Sequence, residues 1–318
     1  MTQTVPTLTP LVRAYDYLLL DLDGCVWVGG TPTRDAPRAL EALRSGGKRI
    51  AFVTNDTRMS AEEYVRKLWA LGFRASLEEV VTVGGALQHH LSDRHGARRA
   101  SAYVIGTPAI FRHVSDAGLR VVNGMPEAPH AEVVVAAGHD ALTFEELKIA
   151  TQALLGGADF VAAGRDRTFP MPDGMWPGTG ALVAALEYAS GRTASSVGKP
   201  QPEIFLTALD RLGPGRALVV GDRLDVDLAG AHAAGLDGAI VLSGATTRAE
   251  AEAAGAASAP GERGGTPARP PEQPPRPVAI AHDLAELILG EPPPVAAPPQ
   301  APPDPPELPP AGWGRAAG

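Results

Sequence analysis

Short apolar runs that each stop at a polar cluster constrain this chain more than any other feature. Residues 17–20 end at Asp21, residues 49–53 end at Thr54, and residues 217–220 end at Gly221-Asp222. A stretch with helical apolar spacing follows each run, at 37–45, 60–71 and 228–234. Such repeats predict an α/β fold with a largely parallel sheet and right-handed crossovers. Ligands of these sheets bind beyond the carboxyl ends of the strands. The polar clusters fall at those ends.

From about residue 84 to 177 the chain has an alternation of its own: 102–105, 108–117, 133–137, Phe144–Leu155 and Asp159–Ala162. That is enough for a second small α/β unit. The expected organisation is therefore core over 1–83, inserted unit over 84–177 and core again over 178–251. Composition shifts near Ala253, and 18 of the 31 prolines lie after residue 259. Stretches such as PPEQPPRP cannot bury enough apolar surface to pack. The composition predicts a disordered insertion over 252–276 and a disordered proline-rich tail over 291–318. Between them, at 277–290, the apolar spacing of 278–289 fits a short strand and a helix docked on the core.

A net charge of -8, with no Lys/Arg cluster to offset it, argues against nucleic acid as a partner. The single cysteine, Cys25, excludes an intrachain disulfide framework and suits a reducing cytoplasm. No apolar run approaches the roughly 18 residues of a membrane span.

Four motifs carry chemistry. Asp21-Leu22-Asp23-Gly24 puts two carboxylates on the turn beyond a strand, one suited to be a nucleophile and the other an acid/base. Gly221-Asp222-Arg223-Leu224-Asp225-Val226-Asp227 adds acidic residues at another strand end, an oxygen donor set for Mg²⁺. Converging carboxylates repel one another unless a cation lies between them. Thr54-Asn55 offers a hydroxyl and backbone N–H groups to phosphate oxygens. In Gly198-Lys199-Pro200 the proline biases Lys199 to an extended backbone that can project its ammonium into a cleft. Taken singly, each motif has an ordinary explanation: a turn, an acidic helix start, an N-cap, a surface lysine.

As a set, in this order and spacing, they resemble the haloacid dehalogenase superfamily of phosphatases, in particular subfamily IIA, the nitrophenylphosphatase-like branch. The resemblance covers residues 14–251 and 277–290. It includes FPMPDGMWPGTGALVAALEYASG at 169–191, similar to the segment where that subfamily's chain leaves its cap. It implies a Rossmann-like core with a mostly parallel sheet and an inserted α/β cap. By the same resemblance, Asp21 is the nucleophile and a Mg²⁺ ligand. Asp23 is the general acid/base and also binds the metal through its backbone carbonyl. Thr54, with Asn55, holds the phosphoryl group and Lys199 offsets its charge. Asp222 binds Mg²⁺ and Asp227 supports it. The loop at 164–169 is similar to the subfamily's substrate-facing loop, which makes Arg165, Asp166 and Arg167 the candidates that read the leaving group.

The implied activity is Mg²⁺-dependent hydrolysis of a small phosphate ester through an aspartyl phosphate. Little aromatic surface lies near the cap loop, which favours a polyol, sugar or hydroxy-acid phosphate, such as glycerol 3-phosphate or phosphoglycolate. Nucleotide or cofactor monophosphates are the alternative substrates, and a non-catalytic phosphometabolite sensor is the alternative of another class. The sequence does not fix the oligomeric state; a homo-oligomer through the cap is one assembly open to the chain, and no membrane partner is expected. Two departures stand out: Asp56 where the family usually has a second Asn, and Cys25 where an apolar residue usually follows the aspartate motif. The expected part for Asp56 is a helix cap, with added negative charge beside the phosphate site as the alternative, and for Cys25 small-residue packing, with a redox switch as the alternative.

Overall fold

A computed structural model describes residues 7–171, 174–256 and 276–291. Its main sheet has six parallel strands in the order Ala279–Ala281, Asp237–Val241, Ala217–Gly221, Tyr17–Asp21, Arg49–Thr54 and Val80–Thr82. Helices cover both faces, so the central strands read as continuous apolar runs rather than as alternating ones. Leu18 and Leu20 enter one core while Leu19 enters the other, and all three are fully buried. Register then fixes the site. Asp21 lies beside Val53, one residue short of Thr54, and Leu20 lies beside Val220, two residues short of Asp222.

The inserted unit has its own parallel sheet, in the order Ser195–Ser196, Asp159–Ala162, Val133–Ala136, Ser101–Ile105 and Arg120–Val121. Its elements run past the expected boundary at residue 177. The helix Thr179–Ser190 lays Leu182, Val183 and Leu186 into the same cluster as Phe160, and Ser195–Ser196 adds an edge strand. An apolar helix face suits either core, and a two-residue strand has no periodicity, so sequence patterning could not place this boundary.

In the terminal element the strand Ala279–Ala281 leads into the helix Leu284–Leu289, capped by Asp283, with Leu284 and Ile288 fully buried. The helix Arg248–Ala256, however, carries regular structure into the expected insertion at 252–276. The rest of that insertion, 257–275, and the tail from 292 onward lie outside the described residues. Among the described residues no helix is long and apolar enough to cross a membrane.

Candidate active site

The chemistry-bearing side chains meet at the carboxyl edge of the main sheet. Asp21 closes its strand there. Lys199 arrives where the chain returns from the second sheet to the core, and it is 3% exposed. Its Nζ donates to Asp21 Oδ1, to Asp227 Oδ1 at 2.7 Å and to the Val53 carbonyl at 3.4 Å. Asn55, just beyond Thr54, grips the Lys199 backbone from both sides. Its Oδ1 accepts from Lys199 N at 2.8 Å, and its Nδ2 donates to the Lys199 carbonyl at 2.9 Å. The Asn55 amide is therefore turned to the lysine segment, a use that sequence had not assigned to it.

Asp222 and Asp227 reach this point by different means. Asp222 is buried and its Oδ2 accepts from the Ala245 N–H at 2.6 Å. Room for it exists because Gly24 lacks a side chain. A Cβ at Gly24 would lie 2.3 Å from Asp222 Oδ2, and Gly24 itself has φ +86°, where other residues are strained. Asp227 belongs to a single π-type turn, Leu224–Leu228, of the kind found mostly at functional sites. The turn brings Asp227 Oδ2 back onto the Arg223 N–H at 3.1 Å.

Three carboxylates and one ammonium in a buried space leave excess negative charge. Burial opposes the Lys199 ammonium, but Asp21 and Asp227 overcome it and hold the lysine charged well above its usual range. Burial pushes the Asp21 carboxyl up; Lys199 opposes this, but Asp227 and Asp222 add to it. Asp222 is raised to about 6, chiefly by burial and then by Asp227. A divalent cation fits this arrangement. Asp21, Asp222 and Asp227 offer oxygens within 4.8 Å of one another, the hard donors that Mg²⁺ prefers. Lys199 and Arg223 N–H occupy the two Asp227 oxygens, so Asp21 and Asp222 have the oxygens best placed to hold the ion.

Comparison with known proteins decides the family. The family model "haloacid dehalogenase-like hydrolase" matches residues 18–120, and a second model of the same hydrolases matches 196–287. The chain is 38% identical over 278 residues to a D-glycerol 3-phosphate phosphatase of Mycobacterium tuberculosis, covering 87% of this chain and 72% of that protein. This chain belongs to the haloacid dehalogenase-like hydrolases. The human glycerol-3-phosphate phosphatase is 33% identical over 262 residues, covering 74% of this chain and 82% of its own. Among solved structures, a glycerol phosphate phosphatase of Mycobacterium tuberculosis in complex with magnesium superposes with a TM-score of 0.76 at 36% identity. That match covers 89% of this chain and 79% of the other.

In this haloacid dehalogenase-like hydrolase the remaining expected residues follow the same strand ends or lie in the cap loop. Thr54 is buried at the end of its strand, and its Oγ1 accepts from Asp56 N. Asp23 is exposed, and its Oδ1 accepts from the Trp27 indole at 2.8 Å. Asp56 does not cap a helix. The N-cap of Ala61–Ala70 is Ser60, paired with Glu63 in a capping box. Asp56 instead holds Arg58 and Tyr64; these bonds outweigh burial and keep its carboxyl below the usual range. Cys25 is fully buried against the Val220 carbonyl, a packing position.

The cap loop divides. Arg165 pairs with Glu187 at 2.7 Å and donates to the Ala194 carbonyl, so its charge is satisfied inside the cap. Asp166 crosses to the core, where Oδ2 accepts from Asn55 Nδ2 and Oδ1 from Arg223 Nη1, both at 3.3 Å. Arg167 is exposed. Thr57 Oγ1 to the Ala137 carbonyl at 3.1 Å and Thr107 Oγ1 to the Thr57 carbonyl at 2.9 Å join the two units near the same cleft. Sequence reading missed Trp27, Tyr64, Arg223 and the Ala245 N–H as parts of this site. Only Arg223 carried a signal, its place within the second acidic motif.

Proposed function

We propose that this enzyme removes phosphate from a short polyol phosphate, with glycerol 3-phosphate as its leading substrate and Asp21 as the phosphoryl acceptor. The enzyme class follows from the family: the chain is a phosphatase that works with Mg²⁺ on a small-metabolite phosphate. The observation that carries the residue roles is the buried Asp21–Lys199–Asp227 contact with Asp222 beside it, at the carboxyl edge of the sheet. Bound Mg²⁺, held by Asp21, Asp222 and the Asp23 carbonyl with Asp227 in support, supplies positive charge that neutralises the phosphate and keeps Asp21 ionised.

Lys199 adds its own charge and, through its bond to Asp21 Oδ1, orients the carboxylate for in-line attack on phosphorus. Thr54 Oγ1 and nearby backbone N–H groups hold the phosphoryl oxygens, while Asn55 orients Lys199. Asp23, at the cleft face, protonates the departing alkoxide and then takes a proton from the water that hydrolyses the acyl phosphate. Positioning and charge do most of this work, since phosphoryl transfer asks little covalent chemistry of the protein.

The cap reads the alcohol. Asp166 and Arg167 carry that role in this reading, and Arg165 braces the loop through Glu187. The two glycerol phosphate phosphatases among the relatives support a polyol over a nucleotide. A homo-oligomer through the cap, where Phe144, Leu155 and Tyr188 are exposed, and a cytoplasmic location complete the reading.

The test is phosphate release over a panel of polyol, sugar, hydroxy-acid and nucleoside monophosphates. Glycerol 3-phosphate should give the highest kcat/KM, and dialysis against EDTA should abolish turnover until Mg²⁺ is restored. A panel led by nucleoside monophosphates would overturn the substrate, and EDTA-resistant turnover would overturn the metal.

A further inference from the structure

Asp23 is exposed, where a carboxylate is free to turn, yet its neighbours hold it. The backbone of 22–27 forms a compact loop: the N–H groups of Val26 and Trp27 both donate to the Leu22 carbonyl, and Gly24 N–H donates to the Trp27 carbonyl at 2.7 Å. This closes the four-residue gap between Asp23 and Trp27, so the indole Nε1 meets Asp23 Oδ1 at 2.8 Å. The indole is itself packed on its faces. It is fully buried, lies 6.4 Å from the Tyr64 ring at an interplanar angle of 12°, and carries the Lys67 ammonium 4.2 Å from its own centroid.

Tyr64 is anchored in turn. Its hydroxyl donates to Asp56 Oδ2 at 2.7 Å, and burial, with Asp56 close by, keeps it protonated as that donor. Asp56 is held by Arg58 through backbone N–H at 2.9 Å and Nε at 2.8 Å. Asp56 is also a residue at which this chain departs from the pattern it otherwise resembles. Among the described residues no donor bonds the second Asp23 oxygen, which is left for the reacting group.

We propose that Trp27 is a positioning residue: its indole N–H fixes the Asp23 carboxylate toward the leaving oxygen, and the Tyr64 ring, tied to Asp56, fixes the indole. This rests on the proposed role of Asp23 as general acid. The distinguishing readout is the leaving group. Glycerol departs as an alkoxide and needs its proton in the transition state, whereas p-nitrophenolate is stable as an anion and needs it far less. A general acid contributes about 10²–10⁴-fold, and kcat/KM reports the steps up to departure of the alcohol.

The experiment compares kcat/KM on glycerol 3-phosphate and p-nitrophenyl phosphate for wild type, Trp27→Phe, Tyr64→Phe and Asp23→Asn, with circular dichroism melts of each. Trp27→Phe keeps a ring in the stack but removes the donor. It should lose about 10- to 100-fold on glycerol 3-phosphate and only about two- to fivefold on p-nitrophenyl phosphate, a part of the full general-acid effect. Equal losses on both substrates, or none on either, would overturn the positioning role. If Trp27→Phe melts too early to assay, Tyr64→Phe decides: a smaller loss with the same selectivity supports the proposal, and wild-type behaviour refutes it. Asp23→Asn separates the two levels. Selective loss there without selectivity in the Trp27 and Tyr64 variants sinks positioning alone, while unselective loss in Asp23→Asn sinks the general-acid assignment and the proposal with it.

Discussion

Asp21→Asn should lower kcat by about 10⁴–10⁶-fold, the scale seen when a covalent nucleophile is removed from an intact site. The amide has nearly the same shape, so the loss isolates the chemistry. Lys199 keeps its bond to Asp227 at 2.7 Å and the fold keeps its central strand, in which Leu18, Leu19 and Leu20 are fully buried. Removing one of three clustered carboxylates also relieves repulsion. The melting temperature in metal-free buffer should therefore stay level or rise. Residual turnover within a hundredfold of wild type by a folded variant would show that phosphate does not pass through Asp21.

Lys199→Met should harm both activity and stability, and the pairing of the two is the point. It removes an ammonium that is 3% exposed and bonded to Asp21 and Asp227. Those carboxylates are then left buried without their cation. Breaking a buried ion pair from one side typically costs about 3–5 kcal/mol, which for a chain of this size lowers the melting temperature by roughly 10 °C. Turnover should fall by more than about 10²-fold, since a preorganised charge on the developing transition state is worth that much or more.

The stability deficit should also depend on pH. Asp222 sits near 6 in the fold against 3.8 in an open chain, so the folded state binds its proton more tightly. Protonation then favours folding as the pH falls from about 6 toward 3.8. Lys199 lowers the carboxyl pKa values of its neighbours, so without it the folded variant takes up protons at higher pH than wild type, and its deficit in metal-free buffer should shrink as the pH falls from neutrality toward about 6. A melting temperature unchanged by the substitution at neutral pH would mean that Lys199 is not the counter-ion of the cluster.

What the sequence made legible follows the length of the signal. Strands such as Arg49–Thr54 and Ala217–Gly221 are long, apolar and end at polar residues, so their ends and their side chains could be read in advance. Val80–Thr82 and Ser195–Ser196 are too short to show a period, and Asp237–Val241 opens on an aspartate and a glycine that dilute the apolar run. The convergence of Asp21, Lys199, Asp222 and Asp227 was readable because their short motifs, in this order, resemble one family's set; Lys199 alone would pass for a surface lysine. Contacts made across the fold were not. Asp56 looked like a helix cap from its place in the chain, but Ser60 holds that position and Asp56 turns to Tyr64 and Arg58. The grip of Asn55 on Lys199 joins residues 144 apart, and no local pattern encodes it.

Covalent trapping tests the central claim most directly. Asp23→Asn, mixed with glycerol 3-phosphate and Mg²⁺, quenched in acid and mapped by mass spectrometry, should carry one phosphoryl group on the peptide that contains Asp21. Hydroxylamine should release that label as inorganic phosphate, leaving a hydroxamate at Asp21, as it does with acyl phosphates, and the label should be absent when Asp21→Asn is combined with Asp23→Asn. Phosphate released directly to water with no labelled peptide, or a label on any other side chain, would contradict the account.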